Sequence, residues 1–121
     1  MKKIVFSAAL GIAAVLMNST AYADALVLAT PSFVVRILVN CGEGDVSCNN
    51  VTYVGTSRKT GKAITLKGRT LHTLCADGKT PCRFLGYEFK NKTVRYVVTE
   101  DGLLMVSEGK KVLVQEQGEW E

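Results

Sequence analysis

The sequence predicts an all-β domain, a small antiparallel sandwich or partly open barrel that ends in a β-meander and is stapled by two short-range disulfides. Three observations carry this expectation. From residue 33 onward apolar and polar residues alternate with period two, and the runs break at Gly, Asn and Asp. No segment sustains apolar residues at i, i+3 and i+4, so helix should be scarce. Four cysteines form two Cys-x6-Cys pairs, Cys41 with Cys48 and Cys75 with Cys82.

The first residues stand apart from this pattern. Lys2 and Lys3, the apolar run Ile4 to Met17 and the small-x-small site Ala21-Tyr22-Ala23 read as a secretory signal, residues 1–23, cut near Ala23-Asp24. The apolar run is too short to span a bilayer, and no cysteine follows the cut to carry a lipid. The expected product is therefore a single disulfide-stabilised β domain, residues 24–121, not membrane-spanning, released into the periplasm or the medium. The chain of 121 residues carries a formal charge of +4, and the two lysines lost with the signal leave 13 basic side chains against 11 acidic ones.

Phe33, Val35, Ile37 and Val39 alternate with Val34, Arg36, Leu38 and Asn40, a β-branched stretch that predicts a strand up to the first cysteine. The loop to Cys48 contains Glu43-Gly44, suited to a reversal. Gly42-Glu43-Gly44-Asp45 offers too few oxygens for a calcium loop. Val51 to Val54 and Ala63 to Leu66 then flank Lys59-Thr60-Gly61-Lys62, a hairpin with glycine in its turn. Asp77-Gly78 repeats the reversal between Cys75 and Cys82. Beyond it come four runs, Phe84 to Phe89, Thr93 to Thr99, Leu103 to Ser107 and Val112 to Gln115, separated by short polar turns. Along this meander Leu85, Tyr87 and Phe89 should share one face, as should Val94, Tyr96 and Val98, with Glu88, Arg95 and Thr99 on the other.

An even number of cysteines in an exported chain of this size reads as disulfides, and each tight loop favours its own ends, hence Cys41–Cys48 and Cys75–Cys82. Six intervening residues are too many for a zinc knuckle, and no Cys-x-x-Cys marks a redox pair. No metal and no cofactor are expected. Shifting the chain by 34 residues superposes the two cysteine pairs together with Tyr53 on Tyr87, Thr65 on Thr99 and Gly68 on Gly102, a near-repeat that would place the two loops at equivalent points of the fold.

Chemistry-bearing residues are few. His72, the one histidine, has no second histidine for a metal and no Cys-His or Gly-x-Ser-x-Gly pattern for nucleophilic catalysis. Glu88 and the Glu100-Asp101 pair could in principle form an acid/base site, but acids beside glycine are ordinary turn formers. The charges are segregated along the chain, with residues 58–95 strongly basic and residues 96–121 mainly acidic. Trp120, near the end of the chain, should either pack back on the sheet or meet a partner.

These readings converge on a small exported binding protein rather than an enzyme. The first expectation is protein–protein contact with another envelope or secreted protein, as in an inhibitor or immunity protein of an envelope-acting enzyme. Loops 41–48 and 75–82 would present the contact surface, with Tyr53, Arg83 and Tyr87 as anchors. The alternative is an envelope module that binds an anionic glycan or a lipid headgroup through the basic surface of Arg58, Lys59, Lys62, Lys67 and Arg69. Nucleic acid is not expected as a partner, because no stacking aromatics accompany the basic residues.

Overall fold

The computed structural model describes residues 25–42 and 44–121; the expected signal sequence lies outside the described residues, as does Glu43. Nine strands follow one another: β1 (Leu26–Ala29), β2 (Phe33–Val39), β3 (Val51–Ser57), β4 (Ala63–Leu74), β5 (Pro81–Asn91), β6 (Val94–Thr99), β7 (Leu103–Glu108), β8 (Lys111–Gln117) and β9 (Glu119–Trp120). Their order across the single sheet is β8-β7-β6-β5-β4-β3-β2-β1-β9. Every pairing is antiparallel.

The two edge strands are neighbours in the chain, separated only by Gly118. A chain that pairs with β7 before that glycine and with β1 after it obliges the sheet to curl until its edges meet, so the expected choice between sandwich and barrel resolves into a nearly closed barrel. Gly118 is crowded from both edges. A Cβ there would stand 2.6 Å from the Ala29 carbonyl oxygen, and its own N–H donates to the Gly102 carbonyl at 2.8 Å. The seam is reinforced by Glu116, whose carboxylate accepts from the Ser32 amide at 3.0 Å and from the Ser32 hydroxyl at 2.6 Å. Trp120 packs back against the core, and its Nε1 donates to the Glu100 carbonyl at 2.8 Å.

The alternation read from sequence becomes the inside and outside of the barrel. Leu28, Val35, Ile37, Val51, Val98 and Leu104 point inward with no exposed surface. Burial of each contributes roughly 1.5–3 kcal/mol relative to exposure. Rings fill the remaining space, with Tyr53 centred 5.2 Å from Phe89 and 5.4 Å from Tyr96.

One expected face is corrected. Pairing between β4 and β5 steps from Leu71 opposite Gly86 to His72 opposite Phe84, leaving Leu85 as the extra residue of a bulge. Phe84, not Leu85, joins the core side, its ring 5.3 Å from Tyr87. Gly86 permits the bulge. Its φ is 147°, and a Cβ would lie 2.2 Å from the Val98 carbonyl oxygen.

Candidate functional site

An antiparallel barrel sorts its connections by parity. The β2–β3 loop, the β4–β5 loop and the β6–β7 turn lie at one end, and the β1–β2, β3–β4, β5–β6 and β7–β8 turns at the other. Both disulfides therefore fall at the same end, and both pair as the spacing predicts: Cys41–Cys48 with Cα atoms 5.9 Å apart, and Cys75–Cys82 with Cα atoms 5.2 Å apart.

The first loop is moored to the barrel wall. The Cys48 amide donates to the Thr70 hydroxyl at 2.8 Å, and the Thr70 amide donates to the Cys48 carbonyl at 2.8 Å. The second loop organises itself. The Cys75 amide donates to the Thr80 carbonyl at 2.8 Å, while the Asp77 carboxylate accepts from the Thr80 hydroxyl and, at 2.9 Å each, from the amides of Lys79 and Thr80. The Thr80 hydroxyl, followed by the two amides, holds the Asp77 carboxyl down at about 2.

A cleft of about 420 Å³ at this end is lined by Ser47 and Asn49 from the first loop and its flank, Lys79 and Pro81 from the second loop and its flank, and Thr70, His72 and Leu74 of β4. Among its described lining residues there is no carboxylate. His72 Nε2 stands 3.0 Å from the Thr70 hydroxyl, and the ring meets Phe84 edge-on at 5.5 Å. Its Nδ1 is buried with no hydrogen-bond partner among the described residues. This arrangement supplies a packed histidine with a local hydrogen bond. Among the described residues no cluster of three His, Cys, Asp or Glu side chains could hold a metal ion.

This end also exposes apolar side chains. Among the described residues six large hydrophobic side chains are exposed, and four of them sit here: Leu26, Val39, Val46 and Leu74, with Val46 at 70% and Leu74 at 60% exposure. Leu26, Val39 and Leu74 belong to strand ends that open on the mouth of the barrel. Single exposed hydrophobics are ordinary on a protein surface; these four lie at the end of the barrel that carries the two covalently closed loops.

The residues singled out from sequence are divided by the fold. Tyr53 and Tyr87 are 2% and 7% exposed, so the expectation that they anchor a partner is corrected: both rings belong to the barrel interior. Burial pushes the Tyr53 hydroxyl pKa up, with Tyr96 adding to the effect, and burial does the same at Tyr87, where Glu100 adds to it. Arg83 alone of the three is at the surface, at the disulfide end, its amide donating to the Thr73 hydroxyl at 2.9 Å.

The five basic residues do not form one patch. Arg58, Lys59 and Lys62 occupy the β3–β4 turn at the opposite end, whereas Lys67 and Arg69 lie on the outer wall of β4. Lys67 Nζ donates to the Thr52 hydroxyl at 2.8 Å, and Arg69 pairs with Glu88 at 2.9 Å. Glu88 is buried on that wall and also bound by Arg95. Burial pushes its pKa up, but hydrogen bonds from Arg95 and Arg69, together with their charges, outweigh burial and hold the carboxyl below its ordinary range. A carboxylate clamped by two guanidiniums is a wall fastener and is poorly suited to proton transfer. Thr70 and Asn49, which help build the cleft, carried no sequence signal beyond their place in and beside a predicted strand.

Comparison with protein-family models, with curated proteins and with solved structures finds no match to this chain. Fold and site define a disulfide-stapled, nearly closed antiparallel β-barrel with a cleft at its disulfide end. Two disulfides are compatible with an oxidising, extracellular type of compartment. No helix among the described residues is long and apolar enough to cross a membrane.

Proposed function

We propose that the protein is a small exported binding protein without catalytic activity of its own, acting by protein–protein contact as an inhibitor or immunity protein of an envelope-acting enzyme. The observation that carries the reading is that exposed Leu26, Val39, Val46 and Leu74 lie at the same end of the barrel as both stapled loops, with Leu74 lining the cleft there. Stapled loops lose little conformational entropy on binding, and exposed apolar side chains at the same end supply the contact area, the combination that rigid inhibitors use. The engagement of His72 by Thr70, and of Glu88 by Arg69 and Arg95, supports a structural use of both side chains.

The test is capture from envelope extract on the immobilised protein, followed by assay of the captured enzyme with the purified chain added. A captured hydrolase whose activity falls on addition of the chain, and which is no longer retained by a Val46→Ser/Leu74→Ser variant, is the expected result. Retention unchanged by that variant, or capture of an enzyme whose activity the chain leaves intact, overturns the proposal.

A further inference from the structure

The end of the barrel opposite the disulfides has its own chemistry. Three of its hairpins carry cations: Arg58, Lys59 and Lys62 between β3 and β4, Lys92 between β5 and β6, and Lys110 between β7 and β8 with Lys111 at the start of β8. All six are exposed. The carboxylates at this end are Glu108, which the Thr93 hydroxyl engages, and Glu116, which the Ser32 amide and hydroxyl engage on the β1–β2 turn. Arg58 Nε donates to the Thr30 carbonyl at 2.9 Å and ties the β3–β4 turn to the β1–β2 turn. The five lysines form no ion pair among the described residues, where the ion pairs are the two made by Glu88. The disulfide end instead holds Asp45, Asp77, Glu100 and Asp101 with Lys79 and Arg83, so the barrel is polarised along its axis.

A second observation distinguishes what such a pole would meet. The remaining two exposed large hydrophobics of the described chain, Val112 at 52% and Leu113 at 44%, follow directly on Lys110 and Lys111. They lie where β8 runs on past the short β1, because β9 pairs with β1 only over Leu28–Trp120 and Ala29–Glu119. Pairing with β7 shifts between Val106 and Ser107, a bulge at this point. A bulge and a lysine on an open edge oppose the addition of a foreign strand. A soluble anionic polymer would be satisfied by the cations alone. Adjacent apolar side chains projecting from a ring of cations are what an anionic bilayer rewards, with lysines at the headgroups and short apolar side chains at the acyl boundary.

We infer that the basic hairpin end is a docking face for an anionic phospholipid surface. The barrel stands on its β3–β4, β5–β6 and β7–β8 turns, with Val112 and Leu113 inserted and the disulfide end directed away from the lipid. This inference is independent of the partner proposed for the disulfide end.

The test is co-sedimentation of the purified protein with vesicles of phosphatidylcholine alone and of an equal mixture of phosphatidylcholine and phosphatidylglycerol. Binding is expected to the mixed vesicles only, and it weakens as salt rises. Removing one lysine from the surface costs about fivefold in affinity, so the Lys59→Gln/Lys62→Gln/Lys110→Gln variant binds on the order of a hundredfold more weakly. Val112→Ser with Leu113→Ser lowers affinity by on the order of tenfold while leaving the salt dependence unchanged. All of these positions are exposed, and unchanged thermal unfolding confirms that each variant folds. Equal binding to both vesicle types, or lysine variants that bind like the parent, overturns the inference. So does a Val112/Leu113 variant with full affinity whose binding soluble dextran sulfate displaces, which would assign the face to an anionic polysaccharide. Val46→Ser/Leu74→Ser should bind vesicles normally, so this face and the disulfide end can fail separately.

Discussion

The two disulfide loops share a spacing, an end of the barrel and a place at the top of a hairpin, yet they are held in different ways. In the first, Cys48 is buried at 5% exposure, Cys41 packs on the core, and Thr70 of the neighbouring strand grips Cys48 through both its amide and its hydroxyl. In the second, Cys82 is exposed at the tip of the longest hairpin, 12 residues of β4 against 11 of β5, and the loop's order comes from Asp77 within it. Each staple closes its own loop, but the first loop is also hydrogen-bonded to the barrel wall through Thr70, whereas the second is ordered from within by Asp77. The same covalent restraint therefore has a different reach in each. The near-repeat at 34 residues extends only this far. Tyr53 and Tyr87 are equivalent core residues, but Gly68 lies within β4 while its counterpart Gly102 forms a turn.

The most direct way to break the comparison is to remove each bridge. Closing so short a loop restricts the unfolded chain by the same amount in both cases, about 2–3 kcal/mol. Replacing Cys41 and Cys48 by Ala also empties buried volume and slackens the hold of Thr70, adding about 1 kcal/mol. Urea unfolding should thus show a larger loss for Cys41→Ala/Cys48→Ala than for Cys75→Ala/Cys82→Ala. Equal losses, or a larger loss for the second pair, would show that mooring to the wall contributes nothing.

A smaller change isolates the mooring itself. Thr70→Val keeps the shape of the side chain and the backbone bond to Cys48, but it strands the Cys48 amide and removes the partner of His72 Nε2. The expected cost is about 1–2 kcal/mol. Thr73→Val, three residues along the same strand, removes the acceptor for the exposed Arg83 amide, where water can substitute, and should cost less than about 0.5 kcal/mol. Comparing the two unfolding midpoints measures how far the first loop depends on the wall and the second does not.

What the sequence disclosed about this arrangement was local. Cysteine spacing, the β-branched run from Phe33 to Val39 and the four runs of the meander are short-range signals, and the strands and both bridges lie where those signals place them. Tyr87 shares its predicted face with Phe89, opposite Glu88, and is buried with it, whereas burial of Tyr53 was not legible. Alternation puts Tyr53 on the same face as Val51 without saying which face the barrel closes over. Closure itself depends on Leu26–Ala29 meeting Glu119–Trp120 from the far end of the chain, and Ala25 to Ala29 looks in sequence like the tail of the apolar leader. The charge blocks misled for a related reason. An antiparallel barrel sends successive turns to opposite ends, so Lys110 and Lys111 leave the acidic block to join Arg58, Lys59 and Lys62, while Lys79 and Arg83 leave the basic block for the disulfide end.

The finest distinction between the loops is their response to acid. The Asp77 carboxyl is held down by the Thr80 hydroxyl and then by the amides of Thr80 and Lys79, from an ordinary 3.8 to about 2. A carboxylate with a depressed pKa supports the folded loop fully above its unfolded value and loses that support as pH falls through its folded one. The order of the second loop should therefore persist at pH 4 and decay toward about pH 2. Because Asp77 is exposed, the change is local, and the global unfolding midpoint of an Asp77→Asn variant should stay close to that of the parent. Amide resonances of Lys79 and Thr80 should titrate with a midpoint near 2, while those of Cys48 and Thr70, whose hydrogen bonds involve no carboxylate, stay still over that interval. Movement of all four together would mean that the two loops are coupled through the cleft, and that the second is moored to the barrel as firmly as the first.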